Sequence, residues 1–392
     1  MKRKVYQGVA AILATLLLST TAFADDAKKI DDDTKMLEIQ TQTTLPENAL
    51  TLDMAVEMAK TNSIDLRSSS DQAEYLQKLK EDIWDITGSF SVPSVSYQQW
   101  VDPEIYGIYS SIQNISSNMT KNKYSEELTK LTLEASVKNQ FTSILSDESA
   151  LAWKKKDTEL KKKLYEQGML KNELGVLSDY ELQNLYSDYQ QAEFDTVKLE
   201  MALQQEYASF YQLIGAEKNA VYTLVYDVTY QPYTMTQTLD QYVTNKLNTD
   251  YTIKLQEQAV SDAKFGKNYL PWTSTGGETA GKEYSFAEAQ RSLKTTKENK
   301  ELAIRNAHNT ITQLESQYEA AQATLKQSQA AYRAAEVNVR AGNATTITLD
   351  KAALAVEQAE NALRQLEYAH DMQIYQFENT ELLAGATPRM SE

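Results

Sequence analysis

Side chains able to ligate, attack or move protons are few in this sequence. There is no cysteine, and His308 and His370 are the only two histidines. The missing thiols exclude disulfides, zinc–thiolate sites, iron–sulfur clusters, cysteine nucleophiles and lipid attachment through an N-terminal cysteine. His308 falls near the start of a long heptad run and His370 on a late apolar seam, so both read as helix-packing residues. Carboxylate pairs such as Glu126-Glu127 and Asp147-Glu148 read as solvated helix faces. There is no phosphate loop, nucleophile elbow or H-E-x-x-H, and the 12 glycines form no nucleotide-binding cluster. The reading is therefore of a protein that is not an enzyme, with no catalytic residues, cofactor or metal. The 24 tyrosines can pack their rings in a helical seam and keep the hydroxyl wet. Lys and Arg total 39 against 55 Asp and Glu, which argues against a nucleic-acid partner.

The elements that position these residues follow from charge and periodicity. Lys2, Arg3 and Lys4 precede an apolar stretch from Val9 to Leu18, and Ala22-Phe23-Ala24 supplies an A-x-A cleavage site. Residues 1–24 thus read as a signal peptide, shorter than the ~20 apolar residues of a membrane span. Its removal leaves 36 basic and 55 acidic residues, a net charge of −19 on an exported chain. Residues 25–49 are polar and acidic and read as a flexible leader.

Beyond the leader the chain repeats itself. Thr51-Leu52-Asp53 returns as Thr238-Leu239-Asp240, with Val56 against Val243, Leu66 against Ile253 and Arg67 against Lys254. This defines helical repeats at 50–215 and 238–385, an extended connector at 216–237 and a tail at 386–392. The connector, with Val221-Tyr222-Thr223-Leu224-Val225-Tyr226, reads as a short strand. Glycines follow helical runs at Gly168 and Gly342, an offset of 174, so the second copy is expected to be 13 residues shorter in its middle. Each glycine is read as a turn between antiparallel helices, in preference to a lone glycine inside a helix, with Thr345, Thr346 or Asn172 capping the next one.

Apolar or small residues recur at steps of three and four through Leu182, Leu185, Tyr189, Ala192, Thr196, Leu199, Leu203, Glu206, Phe210 and Leu213, with only Thr196 and Glu206 breaking the apolar set. The second copy does likewise through Leu314, Tyr318, Ala321, Leu325, Ser328, Tyr332, Ala335 and Val339, then Leu349, Ala352, Val356, Ala359, Leu363 and Leu366. A sustained seven-residue repeat predicts coiled-coil packing. A helix from Phe286 to Arg340 would be roughly 80 Å long at ~1.5 Å per residue. The fold class is mainly α: duplicated long antiparallel helical hairpins, with minor β at the hairpin end and in the connector.

The opening Leu50-Thr51-Leu52-Asp53-x-Ala55-Val56 with Asn62 and Leu66-Arg67, the glycine preceded by Tyr165, and the close on Leu213-Ile214-Gly215 resemble the TolC-type outer-membrane efflux duct family. The resemblance runs from Leu50 to Leu383. It implies a homotrimer whose coiled-coil helices close into a hollow α-barrel, topped by a β-barrel in the outer membrane. It also implies a passive exit duct joined to a periplasmic adaptor (membrane fusion) protein and an inner-membrane transporter. The adaptor-binding tips would be Tyr165, Gly168 and Gly342. Where the family often places an aperture aspartate this sequence has Thr348, with Asp350 two positions on.

The membrane barrel is where the sequence departs. A spanning strand needs about 9–11 alternating residues; Ser89–Gln113 offers two short candidates and Gly266–Ser285 none. The barrel is therefore expected to be reduced or missing. The aromatics Tyr97, Trp100, Tyr106, Tyr109, Tyr269 and Trp272, with Trp84, gather at that end, as a membrane-interface belt associating with the outer envelope or as mutually packed loops. An acidic lumen would favour cationic cargo. The alternative is an extracytoplasmic helical scaffold or spacer with no channel.

Overall fold

The computed structural model describes residues 48–217 and 220–383. The expected signal peptide at 1–24, nearly all of the 25–49 leader and the 386–392 tail lie outside them.

Thr51 opens the helical body by capping α1 (Leu52–Asn62) with its hydroxyl on the Met54 amide, and Ser63 caps α2 (Ile64–Thr87). Asp102 and Pro103 then start α3 (Pro103–Glu173), 71 residues long and roughly 105 Å at ~1.5 Å per residue. A tight turn leads to α4 (Asp179–Ile214). The second half repeats the plan: α5 (Leu239–Thr249), α6 (Tyr251–Asn268), the 65-residue α7 (Gly276–Arg340) and α8 (Thr346–Glu378), closed by a 3-10 turn at Thr380–Leu382. Thr238 caps α5 as Thr51 caps α1, so the shared Thr-Leu-Asp marks equivalent helix starts.

α7 begins ten residues before the expected Phe286. Thr275 and Glu278 satisfy each other's backbone amides in a capping box, and this reciprocal pair starts the helix despite Gly276, Gly277 and Gly281 in its first turns.

Four strands of three residues each occur among the described residues: β1 (Ala49–Thr51), β2 (Gln99–Val101), β3 (Thr223–Val225) and β4 (Tyr269–Pro271). They form two parallel pairs, with Leu50 beside Leu224 and Trp100 beside Leu270. None approaches the length of a spanning strand, and no barrel forms among the described residues. The strand-forming reach expected in Ser89–Gln113 shrinks to β2, because Asp102 caps α3 immediately after it and draws Tyr106 and Tyr109 into helix. Among the described residues the connector is strand only at β3, yet Tyr222, Leu224, Tyr226 and Tyr230 turn inward at alternate positions.

In the half holding the helical turns, α4 packs on α3, α3 on α8 and α8 on α7; in the other half the order is α2, α3, α6, α7. The core is itself duplicated. Val137, Ile144, Ala192 and Phe210 of the first half correspond at one constant offset to Ile304, Ile311, Ala359 and Phe377 of the second, all buried. Val137, Ile144 and Phe210 cluster with Ala55 and Ala59 of α1, and Ile304, Ile311 and Phe377 with Tyr242 and Val243 of α5.

That offset, 167 residues, also separates Gly175 from Gly342, the two turn glycines with left-handed backbones (φ 72 and 75°). The expected partner of Gly342 was Gly168, one heptad too early. Gly168 is buried inside α3, and its counterpart is the buried Ala335. The second copy is thus shorter by 20 residues rather than 13. α6 has 18 residues to the 24 of α2, and it runs straight into β4 where the first half inserts Gly88–Gln98.

Candidate functional site

The two turns are built alike. The Val176 amide donates to the Lys171 carbonyl (2.9 Å) and the Asn343 amide to the Asn338 carbonyl (2.8 Å), six-residue closures across a left-handed glycine. Nothing lies within 4 Å of a side chain added at Gly175 or Gly342, so the glycines serve the backbone conformation and leave the loops bare. Ser178 and Glu181 cap α4 reciprocally, while Asn172, expected as a cap, instead donates to the Leu177 carbonyl and the Asp179 carboxylate. The first turn exposes Leu170, Leu174, Val176 and Tyr180. These four apolar side chains escaped the sequence reading because the turn was placed at Gly168.

Gly168 has a different task. A β-carbon there would sit 2.6 Å from Leu185 Cδ1, with Leu182 and Leu177 also in contact, so its missing side chain lets α3 and α4 approach near the turn. Tyr165, one helical turn earlier, packs against Tyr186 and Tyr189 of α4, with ring centroids 5.1 and 6.4 Å away.

Of the two candidate aperture residues, Asp350 lies in the seam joining the two hairpins. Asp350 of α8 takes Lys163 of α3 at 3.1 Å, and the carboxylate holds that ammonium above its ordinary pKa. Thr348 stays local, its hydroxyl 3.2 Å from that of Thr345. Farther along the same seam the Trp153 indole donates to the Leu354 carbonyl (3.0 Å) and Lys156 pairs with Glu357 (2.8 Å). Between α3, α4 and α8 runs a groove of 360 Å³ whose walls include Trp153, Leu160, Leu185 and Leu354. Nearer the connector, Lys138 meets Asp371 (2.9 Å) and the Tyr375 hydroxyl donates to Glu134 (2.7 Å); burial, reinforced by Glu134, drives the Tyr375 phenol well above its usual range.

The aromatic end divides. Tyr106 stacks on Phe265, Tyr109 meets the edge of Tyr269, and the buried Tyr269 donates its hydroxyl to the Pro93 carbonyl. These three face inward because β2 and β4 pull α3 and α6 together, which removes them from any outward belt. Tyr97, Trp100 and Trp272 stay exposed, as does Trp84. The Trp272 amide donates to the Val101 carbonyl, placing Trp272 at the end of the β2–β4 pair that carries Trp100.

His308 lies 5.9 Å from the Phe377 ring, in the place Phe141 occupies in the first half. His370 is buried. Among the described residues no three His, Asp or Glu side chains gather as a metal set, and no helix is long and apolar enough to cross a membrane.

No protein-family model matches the sequence, and no curated protein matches it. Solved structures do. The outer membrane protein VceC of Vibrio cholerae superposes at a TM-score of 0.56 and 13% identity, over 84% of this chain and 96% of that one. The Campylobacter jejuni CmeC outer membrane channel gives 0.60 at 14% identity, over 96% of each chain. The open state of the Neisseria gonorrhoeae MtrE outer membrane channel gives 0.61 at 13%, over 93% of this chain and 99% of that one. The chain has the fold of these outer membrane channels, the TolC-type arrangement of duplicated helical hairpins.

Proposed function

We propose that the protein is an exported duct subunit of the cell envelope, three copies of which close into a hollow helical tube that passes cargo without chemistry. The observation that carries this reading is the pair of open edges on the helical layer. α4 and α7 are its outermost members in the turn-bearing half. α4 exposes Phe194, Val197 and Met201, and α7 exposes Leu302 and Val337. Two unlike edges cannot satisfy each other within one chain, but the α4 edge of one copy meeting the α7 edge of the next is a head-to-tail contact that closes into a ring. The fold of outer membrane channels supports the same assembly.

Within this reading the turns at Gly175 and Gly342 receive a periplasmic adaptor, and an inner-membrane transporter supplies the energy. Leu170, Leu174, Val176 and Tyr180 would furnish the apolar contact. Tyr97, Trp100 and Trp272 would rest at a lipid interface of the outer envelope, where an amphipathic ring with one wet atom is favoured. The three-residue strands favour a second reading, a helical scaffold that spaces envelope layers and conducts nothing.

Light scattering on the purified protein in detergent tests the assembly, and ion conductance after addition to planar bilayers tests the duct. A mass of three protomers with discrete conductance steps is expected. A monomer at high concentration overturns the ring, and a non-conducting trimer favours the scaffold.

A further inference from the structure

His370 has no packing explanation. At the constant offset between the halves its counterpart is Leu203, buried in the first core, so a hydrocarbon suffices at this place in the fold. In the second half the imidazole is only 3% exposed, yet its Nε2 has no hydrogen-bond partner among the described residues. It points toward the Glu315 carboxylate on α7, with Nε2 3.5 Å from Oε1. An orphaned buried nitrogen beside a carboxylate is costly unless it carries a proton and bonds, and the bond is stronger when the ring is charged.

The connector lies over this pair. The Tyr230 ring stacks on Tyr318 of α7 at 3.7 Å and covers the imidazole at 5.0 Å. The Tyr233 backbone amide donates to the same Glu315 Oε1 at 2.7 Å, and its ring meets Phe377. Upstream, the Tyr226 hydroxyl is bonded to Asp371, which also takes Lys138. The titratable and charged groups around the imidazole are thus Glu315 and Tyr318 of α7, Glu367 and Asp371 of α8, Lys138 of α3, and Tyr226, Tyr230 and Tyr233 of the connector. Glu367 is held by the Tyr318 hydroxyl, and Asp371 by Lys138 and Tyr226. Among the described residues, Glu315 is the carboxylate that faces the free nitrogen. In the first half its counterpart Glu148 is engaged by the Tyr207 hydroxyl (2.6 Å).

We propose that His370 and Glu315 form a proton-operated clasp that fastens the connector to α7 and α8. With a proton on both ring nitrogens, Nε2 donates to Glu315, the carboxylate is fixed beneath the Tyr233 amide, and the Tyr230 ring lies beside a cation, tilted 46° to it. With the imidazole neutral, only the weaker hydrogen bond of an Nε2–H tautomer remains, without the charge on the ring, and the connector is held less firmly. The sign is set by the chemistry: anchorage is stronger on the acid side, where imidazole is charged, and weakens as the proton leaves. Imidazole is the side chain that ordinarily changes charge between about pH 5 and 8. The clasp acts within one protomer and does not rest on the duct reading.

The cysteine-free chain makes the test clean. A spin label on Gln231→Cys, an exposed connector position, reports connector mobility. Between about pH 8 and pH 5 the mobile fraction is expected to fall roughly threefold, the equilibrium shift of a modest ion pair. His370→Leu, which installs the residue used by the first half and so keeps the core filled, is expected to abolish the pH dependence while circular dichroism stays unchanged. Glu315→Gln is expected to abolish it as well. A flat mobility profile in the unaltered background, or the same slope in His370→Leu, overturns the proposal.

Discussion

Lys300 reaches from α7 into an enclosed site, where it meets Asp250 at 3.3 Å and donates to the Thr380 and Leu383 carbonyls at 2.9 and 3.1 Å. Asp250 is fully buried. Its other oxygen caps α6 through the Thr252 and Ile253 amides, and Thr380 completes its shell with a hydroxyl at 3.0 Å. Every polar atom of this lock has a partner, so its value shows when one partner is removed. Lys300→Met is expected to cost about 3–5 kcal/mol, because the Asp250 charge stays buried without its counterion. Adding Asp250→Asn should recover part of that loss. Urea unfolding followed by circular dichroism measures both changes. Charge pattern gave no hint of this site, since a lysine in a helix rich in Glu and Lys reads as solvated. The comparison of halves does give one: Leu133 stands at the place of Lys300 and Ser63 at that of Asp250, so an apolar–polar pair has become an ionic one.

At the scale of elements, helix caps and seams were legible because each rests on local chemistry: Thr51 and Thr238 open equivalent helices, and the heptads through Leu203–Leu213 and Leu314–Val339 do pack. The turn was misplaced for a reason built into the same pattern. A seam that repeats every seven residues is unchanged by a slip of seven, so Gly168 and Gly175 fit periodicity equally well, and only the backbone conformation separates them. That separation is measurable. Gly342→Val is expected to cost about 1–2 kcal/mol through left-handed strain, whereas Gly342→Asn, whose side chain tolerates that conformation, costs much less. At Gly168 the penalty is steric: Gly168→Val should destabilise by about 1–3 kcal/mol through overpacking against Leu185, and Leu185→Ala in the same chain should relieve it. Thermal unfolding of the four variants distinguishes a conformational glycine from a packing glycine. The inward turn of Tyr106, Tyr109 and Tyr269 was hidden for a related reason. Composition reveals that aromatics share one end of the molecule, but the pairing of β2 with β4 decides which of them face outward.

For the whole molecule the decisive question is what covers the α4 and α7 edges. Burying a large apolar side chain is worth about 1.5–3 kcal/mol, and Phe194, Val197 and Met201 of α4 are exposed among the described residues. In a ring this contribution recurs at every junction, so a change on one edge is felt at each interface while the protomer's own core, at Phe141, Phe210 and Phe377, is untouched. Phe194→Glu with Met201→Glu places two carboxylates at the expected junction of a protein already strongly acidic, where desolvation and like charge both oppose closure. The expected outcome is a loss of the trimeric mass in light scattering, with helical content and urea midpoint of the protomer retained. A matched pair at exposed positions of α2, Tyr75→Glu with Ile86→Glu, separates this effect from a general response to added charge, because α2 lies outside the turn-bearing half. If the α4 variant keeps its assembled mass, or if both variants dissociate alike, the α4 edge is not the junction of the proposed ring.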